Sequence, residues 1–381
     1  MPKTTKTTYM CEICNKEFDQ KSHYDQHKKR KTLCLPNTDI ENIKNILDES
    51  KVKVSKKVKQ KEITLNVLDL FCGCGGLSKG LVDAGLNVIA GIDIWDVAIN
   101  SYSKNFTHNA ICKDLTKYSP ESLCKDYNID KKGVDILVGG PPCQSFSMAG
   151  KRDKNDPRNS LFMEYVKYLT YFNPKLFIME NVIGILSKKT TDGEKVIDII
   201  MSHLNENYNC IITKLYASDF EVPQNRRRTI IIGIRKDLNI VPTEPKPILT
   251  KDNRPSVGSV LTKKEDIENK YYLSELAITG IKNKHKKSKE EGKGFGAQFL
   301  NLSKPSYTIS ARYWKDGYDA LVKYNDDEIR RLTITELKKI QSFPDDYIIE
   351  GSNKNIIMQI GNAVASRFAY HLGNYIKSTL Q

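Results

Sequence analysis

From Ile63 onward the sequence alternates short β-rich runs with amphipathic helical stretches, and no other feature restricts the fold as much. The runs are ITLNVLDLF, NVIAGID, VDILVGG, KLFIMEN, NCIITKLYASDF and TIIIGIR. Strands separated by helices predict an α/β fold with a doubly wound, mostly parallel sheet, in which ligands bind at the carboxyl ends of the strands. Residues that carry chemistry are therefore expected just after strands.

The first run ends in DLFCGCGGLSKG. Gly73, Gly75 and Gly76 allow a sharp βα turn and a close approach to a ligand. A tight turn with no ligand is the alternative. The second run ends at Asp93, 20 residues past Gly73, a distance at which an acid commonly meets ribose hydroxyls. Turn and acid together favour an adenosine-containing ligand.

The third run stops at GGPPCQ. Pro141 and Pro142 stiffen the chain as it leaves the strand, so Cys143 sits on a rigid elbow at the sheet edge. A thiolate held there is a strong nucleophile; a buried structural cysteine is the alternative. The fourth run ends in MEN, with Glu180 placed 37 residues after the thiol. That spacing fits one crossover helix, read as Pro157 to Phe172, and a carboxyl desolvated beside the sulfur could donate a proton. In QNRRRT, Gln224, Arg226 and Arg228 precede another strand and share a face. Phosphate or carbonyl recognition and a plain basic surface both remain open there.

These segments define a catalytic domain over residues 63–240 and 352–381. Between them, residues 241–351 are irregular and basic, with IKNKHKKSKEEGKGFG at their centre, and the irregular stretch far exceeds loops of about 12 to 15 residues. A second, inserted lobe is expected. Residues 37–62 carry six lysines from Lys51 to Lys61 and read as a basic linker. The formal net charge of +14 favours an anionic partner, nucleic acid above all, with affinity that falls steeply with salt. No apolar run of 18 residues and no signal-peptide core occur, so an intracellular protein that neither enters a membrane nor is secreted is expected. Nine cysteines, an odd number over a long chain, fit reduced thiols.

Residues 1–36 form a separate small module. Cys11 and Cys14 stand two residues apart, followed by twelve residues to His27 and six to Cys34. This spacing resembles a two-cysteine, two-histidine zinc finger, with Phe18 and Tyr24 at its core positions, and so short a segment gains stability from zinc. A final cysteine departs from that pattern, and His23 is a spare ligand. A lone finger reads only about three base pairs, so tethering is favoured over sequence choice.

The ordered set DLFCGCGG, GID, KDL, GGPPCQSFS, ENV, QNRRR, RLTITE followed by QSFP, and QIGNAV closely resembles the DNA cytosine-5 methyltransferase family, from Ile63 to the C-terminus. The resemblance implies methylation of cytosine carbon 5 at a specific site in double-stranded DNA, with S-adenosylmethionine as donor and the base flipped out. It implies that Cys143 adds to carbon 6, that Glu180 protonates ring nitrogen 3, and that Arg228 holds the base's carbonyl oxygen with Arg226 in support. For the cofactor it implies Phe71 against adenine, Asp93 at the ribose and Asp114 near the adenine amine. Gly73, Gly75, Gly76, Ile94, Leu115 and Pro142 belong to the same pocket, completed by Asn362 and Val364 in the returning C-terminal helix. In the family an aromatic residue often follows the ribose acid; here Ile94 does, and Trp95 comes next.

Residues 145–160 match the mobile loop that closes on DNA, and 241–351 match the target recognition region. Gln144, Ser147, Gln224, Thr308 and Arg312 are the implied DNA contacts, with packing as the alternative for the recognition-region residues. A cognate restriction endonuclease is a candidate partner, and the chain is read as a monomer. A family branch that methylates transfer RNA resembles enzymes with a Cys-Phe-Thr triplet, absent here. An inert methyltransferase body in a zinc-finger regulator is the second rival, and the intact catalytic set weighs against it.

Overall fold

The computed structural model describes residues 8–29, 64–142, 160–190, 193–290, 298–316 and 320–381. Cys34, Cys143, Gln144 and Ser147 lie outside these residues, as do the basic linker and nearly all of the loop over 145–160. The chain divides into two compact units, with the boundary between Ile63 and Thr64.

The first unit contains an antiparallel pair, β1 (Tyr9–Met10) and β2 (Glu17–Phe18), and helix α1 (Lys21–Lys28). Its small core is aromatic: the Phe18 ring lies 6.0 Å from Tyr24 and 5.0 Å from His27.

The second unit is built on a seven-stranded sheet. Its strands are β3 (Asn66–Leu70), β4 (Asn87–Asp93), β5 (Asn109–Cys112), β6 (Ile136–Gly139), β7 (Leu176–Val182), β8 (Tyr208–Tyr216) and β9 (Arg227–Arg235), in the order β5-β4-β3-β6-β7-β9-β8. All pairings from β5 to β7 are parallel, and β9 runs antiparallel to both of its neighbours. Successive residues of each strand supply opposite faces. Leu68, Leu137, Phe177 and Ile231 join one apolar core, whereas Val67, Ile136, Ile178 and Ile232 join the other.

Over the first face lie α4 (Pro120–Tyr127), α5 (Ser160–Phe172) and α6 (Val196–Leu204), with Leu123, Leu169 and Ile200 buried. Over the second lie α2 (Gly76–Asp83) and the C-terminal α11 (Ser366–Leu380), through Leu77, Leu81, Phe368 and Leu372. Helix α3 (Asp96–Asn105) links β4 to β5. Covering both faces explains why these strands read as nearly continuous apolar runs. β5 was not among the expected strands, because NAIC has one fully buried residue, Ile111, and carries little β signal.

Residues 241–351 contain short helical turns, α7 (Glu275–Glu290), α8 (Tyr313–Asp316), the pair β10 (Val322–Lys323) and β11 (Ile329–Arg330), and α9 (Ile334–Ile340). Their main core gathers Val257, Leu300, Ile309, Tyr313 and Leu337, and it includes Ile360 of α10 (Asn353–Asn362). The inserted segment therefore shares its core with the helix that returns to the sheet. No described helix is long and apolar enough to cross a membrane.

Candidate active site

A cavity of about 670 Å³ opens at the carboxyl ends of β3, β4, β6 and β7. One end is bounded by the turn after β3. Phe71 there has φ +58°, a left-handed conformation costly for an aromatic residue and of the kind that clusters at ligand sites. Gly73 has φ +54°, and a Cβ on it would meet no atom within 4 Å. Both residues line the cavity.

Gly75 and Gly76 serve packing instead. At Gly75 a Cβ would fall 2.5 Å from the Phe106 ring, and at Gly76 it would fall 2.2 Å from the Val364 carbonyl oxygen. The glycines expected to touch a cofactor thus split into one that does line the space and two that let helices close behind it.

Asp93, at the end of β4, accepts hydrogen bonds from the backbone N–H groups of Gly73 and Trp95, each 2.9 Å long. Burial pushes its carboxyl up, and those N–H groups oppose the shift. Ile94 and Trp95 both line the cavity, and Ile94 is 65% exposed, so the wall after the acid is aliphatic first and aromatic second. Asp114 accepts from the Thr116 hydroxyl and N–H, which hold its carboxyl down. Leu115, Pro142, Asn362 and Val364 complete this part of the lining. Asn362 ends α10, and Val364 lies in the break before α11, so the expected single returning helix is two helices with a pocket-forming hinge between them.

The other end holds the charged residues. Arg228 Nε stands 2.8 Å from Glu180 Oε1, with both side chains nearly buried. The geometry is that of an ion pair and not of a hydrogen bond, since Oε1 has no hydrogen-bond donor among the described residues. That oxygen retains its capacity to accept a proton or a donor. A Cβ at Gly140 would stand 3.3 Å from Glu180 Oε2, so glycine leaves room for the carboxylate. Asn181 Nδ2 donates to the Pro141 carbonyl at 2.9 Å and so fixes the turn that leads to Cys143. The asparagine of ENV, at the same sheet edge as Glu180, thus positions the turn after β6.

Arg226 is buried and donates to the carbonyls of Ile309, at 3.3 Å, and Gly361, at 3.0 Å. Burial, with Arg228 nearby, pushes its guanidinium down to about 9, which still leaves it charged at neutral pH. Gln224 departs from the expected DNA contact. It is fully buried, accepts from the Ile309 N–H at 3.0 Å and donates to Gln341 Oε1 at 2.6 Å. Gln341 in turn donates to the carbonyls of Ile360 and Ala363. This chain of amides braces the inserted segment against the break between α10 and α11. Thr308 and Arg312 are exposed, and Thr308 lines the cavity.

In the first unit, Cys11, Cys14 and His27 bring their ligand atoms within 4.8 Å of one another, with Cys14 Sγ 3.4 Å from His27 Nε2. Backbone N–H groups of Cys14 and Ile13 hold the Cys11 thiol down at about 6. His23 is exposed and stands apart from the cluster. The seven described cysteines are free thiols.

Comparison with known proteins agrees with this arrangement. The profile of the family described as C-5 cytosine-specific DNA methylase matches residues 65–378. The type II methyltransferase M.DdeI of Desulfomicrobium norvegicum is 32% identical over 378 residues, covering 82% of this chain and 88% of its own. M.SsoII of Shigella sonnei is 35% identical over 325 residues, covering 82% and 80%. Among solved structures, the Dnmt2 methyltransferase of S. pombe aligns with TM-score 0.65 at 18% identity, over 83% of this chain and all of that one, which speaks for the fold alone. The chain belongs to the C-5 cytosine-specific DNA methylases and is a DNA cytosine methyltransferase.

Proposed function

We propose that the cavity binds S-adenosylmethionine at the Phe71 end and receives, at the Glu180 end, a cytosine flipped out of a DNA duplex. The lining suits such a cofactor: Phe71, Ile94, Trp95 and Leu115 offer apolar contact for a flat base, and Asp93 and Asp114 offer acceptors for its polar groups. When bound, the cofactor supplies the methyl group.

The chain's residues have to make carbon 5 of cytosine nucleophilic. The Cys143 thiolate adds to carbon 6, and Glu180 delivers a proton to ring nitrogen 3, so negative charge does not accumulate on the ring. Arg228 holds the carbonyl oxygen, and its pairing with Glu180 keeps both groups aimed at one small volume. Arg226 fixes the backbone of Ile309 and Gly361 around that volume. After transfer, water takes the carbon-5 proton, the electrons re-form the ring double bond as the Cys143 thiolate leaves carbon 6, and ring nitrogen 3 returns its proton to Glu180. The observation that carries this reading is the nearly buried Glu180–Arg228 pair, at 2.8 Å, on the wall to which Pro142 delivers the chain just before Cys143.

In the same reading Thr308 and Arg312 contact DNA, and Cys11, Cys14 and His27, completed by Cys34, hold zinc. The relatives named above are type II methyltransferases, which supports a modification enzyme with a cognate endonuclease.

The test is to incubate the protein with labelled S-adenosylmethionine and either duplex DNA or transfer RNA, with Cys143→Ala as control, and to locate the product by bisulfite sequencing. Methylation of DNA at one sequence, lost by at least about 10³-fold in the variant, is expected. Transfer to RNA alone, or undiminished transfer by the variant, overturns the proposal.

A further inference from the structure

The floor of the cavity holds a carboxyl group to which the reaction above gives no task. Asp69, in β3, is fully buried and lines the cavity. Its Oδ2 accepts from the Ser78 hydroxyl at 2.6 Å, but among the described residues its Oδ1 has no hydrogen-bond partner. A buried acid with an oxygen left over is costly unless it is protonated or meets a positive charge.

The described groups that act on Asp69 are neutral or negative. Asp93 acts on it from the end of β4, and the thiol of Cys72, driven up by burial, comes from the turn. Tyr102 of α3, Tyr165 of α5 and Tyr347 beyond α9 contribute phenols. Lys113 lines the wall of the same cavity, and Arg226, Arg228 and Glu180 line its substrate end. The cofactor of the proposed function brings a sulfonium and an ammonium into this space.

We propose that Asp69 is the counter-charge for the cationic portion of the cofactor and that binding the cofactor releases a proton from this site. The inference rests on the reading of the cavity as a cofactor pocket. Burial pushes the Asp69 carboxyl up to about 7, so in the empty protein it is largely protonated below neutrality. A cation beside it favours the charged form, and the proton must leave.

A route for that proton is built in. The Ser78 hydroxyl lies 2.7 Å from the Tyr102 hydroxyl, which lies 2.7 Å from Nε2 of the half-buried His108. Burial pushes the His108 imidazole down to about 4, so at neutral pH it is an uncharged group able to accept at one nitrogen and donate at the other. The chain Asp69, Ser78, Tyr102, His108 can reverse the direction of every bond, which brings one proton to His108 Nε2, and the imidazole, too weak a base to keep it, gives its Nδ1 proton to solvent.

The sign follows from linkage. Asp69 has a higher pKa empty than bound, so affinity rises with pH up to about 7 and then levels off. The experiment is titration calorimetry of the full chain with S-adenosylmethionine, in two buffers of different ionisation enthalpy, from about pH 6 to about pH 8.5. At about pH 6 the cofactor's own α-amino group is protonated, since such groups titrate near 7.7–8.0.

The expected result is release of close to one proton per cofactor at about pH 6 in the parent protein and none in Asp69→Asn, with the difference vanishing by about pH 8.5. Asp69→Asn should also lose affinity for the cofactor by more than it loses affinity for S-adenosylhomocysteine, which keeps the ammonium but whose sulfur is a neutral thioether. Should Asp69→Asn fail to fold, Ser78→Ala carries the test. It removes a hydrogen bond that favours the carboxylate, so the midpoint of proton release should move to higher pH. Binding without proton release at about pH 6, release retained by Asp69→Asn, or a midpoint unmoved by Ser78→Ala overturns the inference and leaves the cofactor site standing. Absence of any binding overturns both.

Discussion

Asn181 shows how much of the chemistry depends on a side chain that performs none. Its Nδ2 holds the Pro141 carbonyl, and its Oδ1 accepts from the Val182 N–H, so the end of β7 and the turn after β6 are tied together. Glu180 and the chain leading to Cys143 are thereby set relative to each other. Asn181→Ala leaves a buried carbonyl without its donor, at a cost of about 1–3 kcal/mol. It also frees the turn, and a displacement near 1 Å at a reacting group is worth about 10² in rate. We expect kcat to fall by about that factor while the dissociation constant for S-adenosylmethionine changes less than threefold, measured by single-turnover methylation and by calorimetry. An equal loss in both would mean that the variant damages the whole pocket and not the turn. The sequence pointed to Glu180 and Arg228 because charged residues there interrupt the ends of apolar runs. In the structure Glu180 lies inside β7, near its end, and Arg228 near the start of β9, while Cys143 lies outside the described residues. The sequence did not reveal Asn181 or Gln224 as braces, since an amide reads alike whether it faces solvent, DNA or a backbone carbonyl. Only burial and partners separate those cases.

At the scale of elements, the strand-and-helix alternation was legible because both faces of the sheet are covered, which forces long apolar runs. β5 escaped because a short edge strand needs few apolar residues, and the break at Ala363–Ala365 escaped because its own residues are not breakers and the nearby Gly361 still lies inside α10. That break is where α2 meets the returning helices. Gly76 approaches the Val364 carbonyl so closely that a Cβ would sit 2.2 Å away, and Gly80 stands in the same relation to Ser366, at 2.3 Å. Glycine therefore sets the spacing of α2 and α11, and through Ala363 and Val364 it sets one wall of the cavity. Gly76→Ala must push backbone against backbone, which side-chain adjustment cannot relieve. Overpacking of this kind costs about 1–3 kcal/mol. The expected outcome is a lower denaturation midpoint together with weaker cofactor binding. Gly73→Ala makes the contrast, because its Cβ enters open space and only the left-handed backbone opposes it. Cofactor affinity lost in Gly76→Ala without any loss of stability would contradict the packing role.

For the whole molecule, the division at Ile63/Thr64 has a chemical counterpart. The larger unit has two extensive apolar cores, one on each face of its sheet, and needs no further cross-link. The described part of the smaller unit buries little besides Cys11, and its rings lie around the Cys11, Cys14 and His27 cluster. So small a core cannot offset the entropy of ordering the chain, whereas metal binding can. The two units should therefore respond differently to a chelator. Metal analysis of the purified protein should find about one zinc per chain, and Cys11→Ser together with Cys14→Ser should abolish it. Chelation should make residues 8–29 exchange their amide hydrogens freely, while the unfolding midpoint of the methyltransferase unit stays within about 1 °C. Protection of residues 8–29 that survives both chelation and the double substitution would mean that apolar packing alone holds the small unit, and the zinc assignment would fall with it.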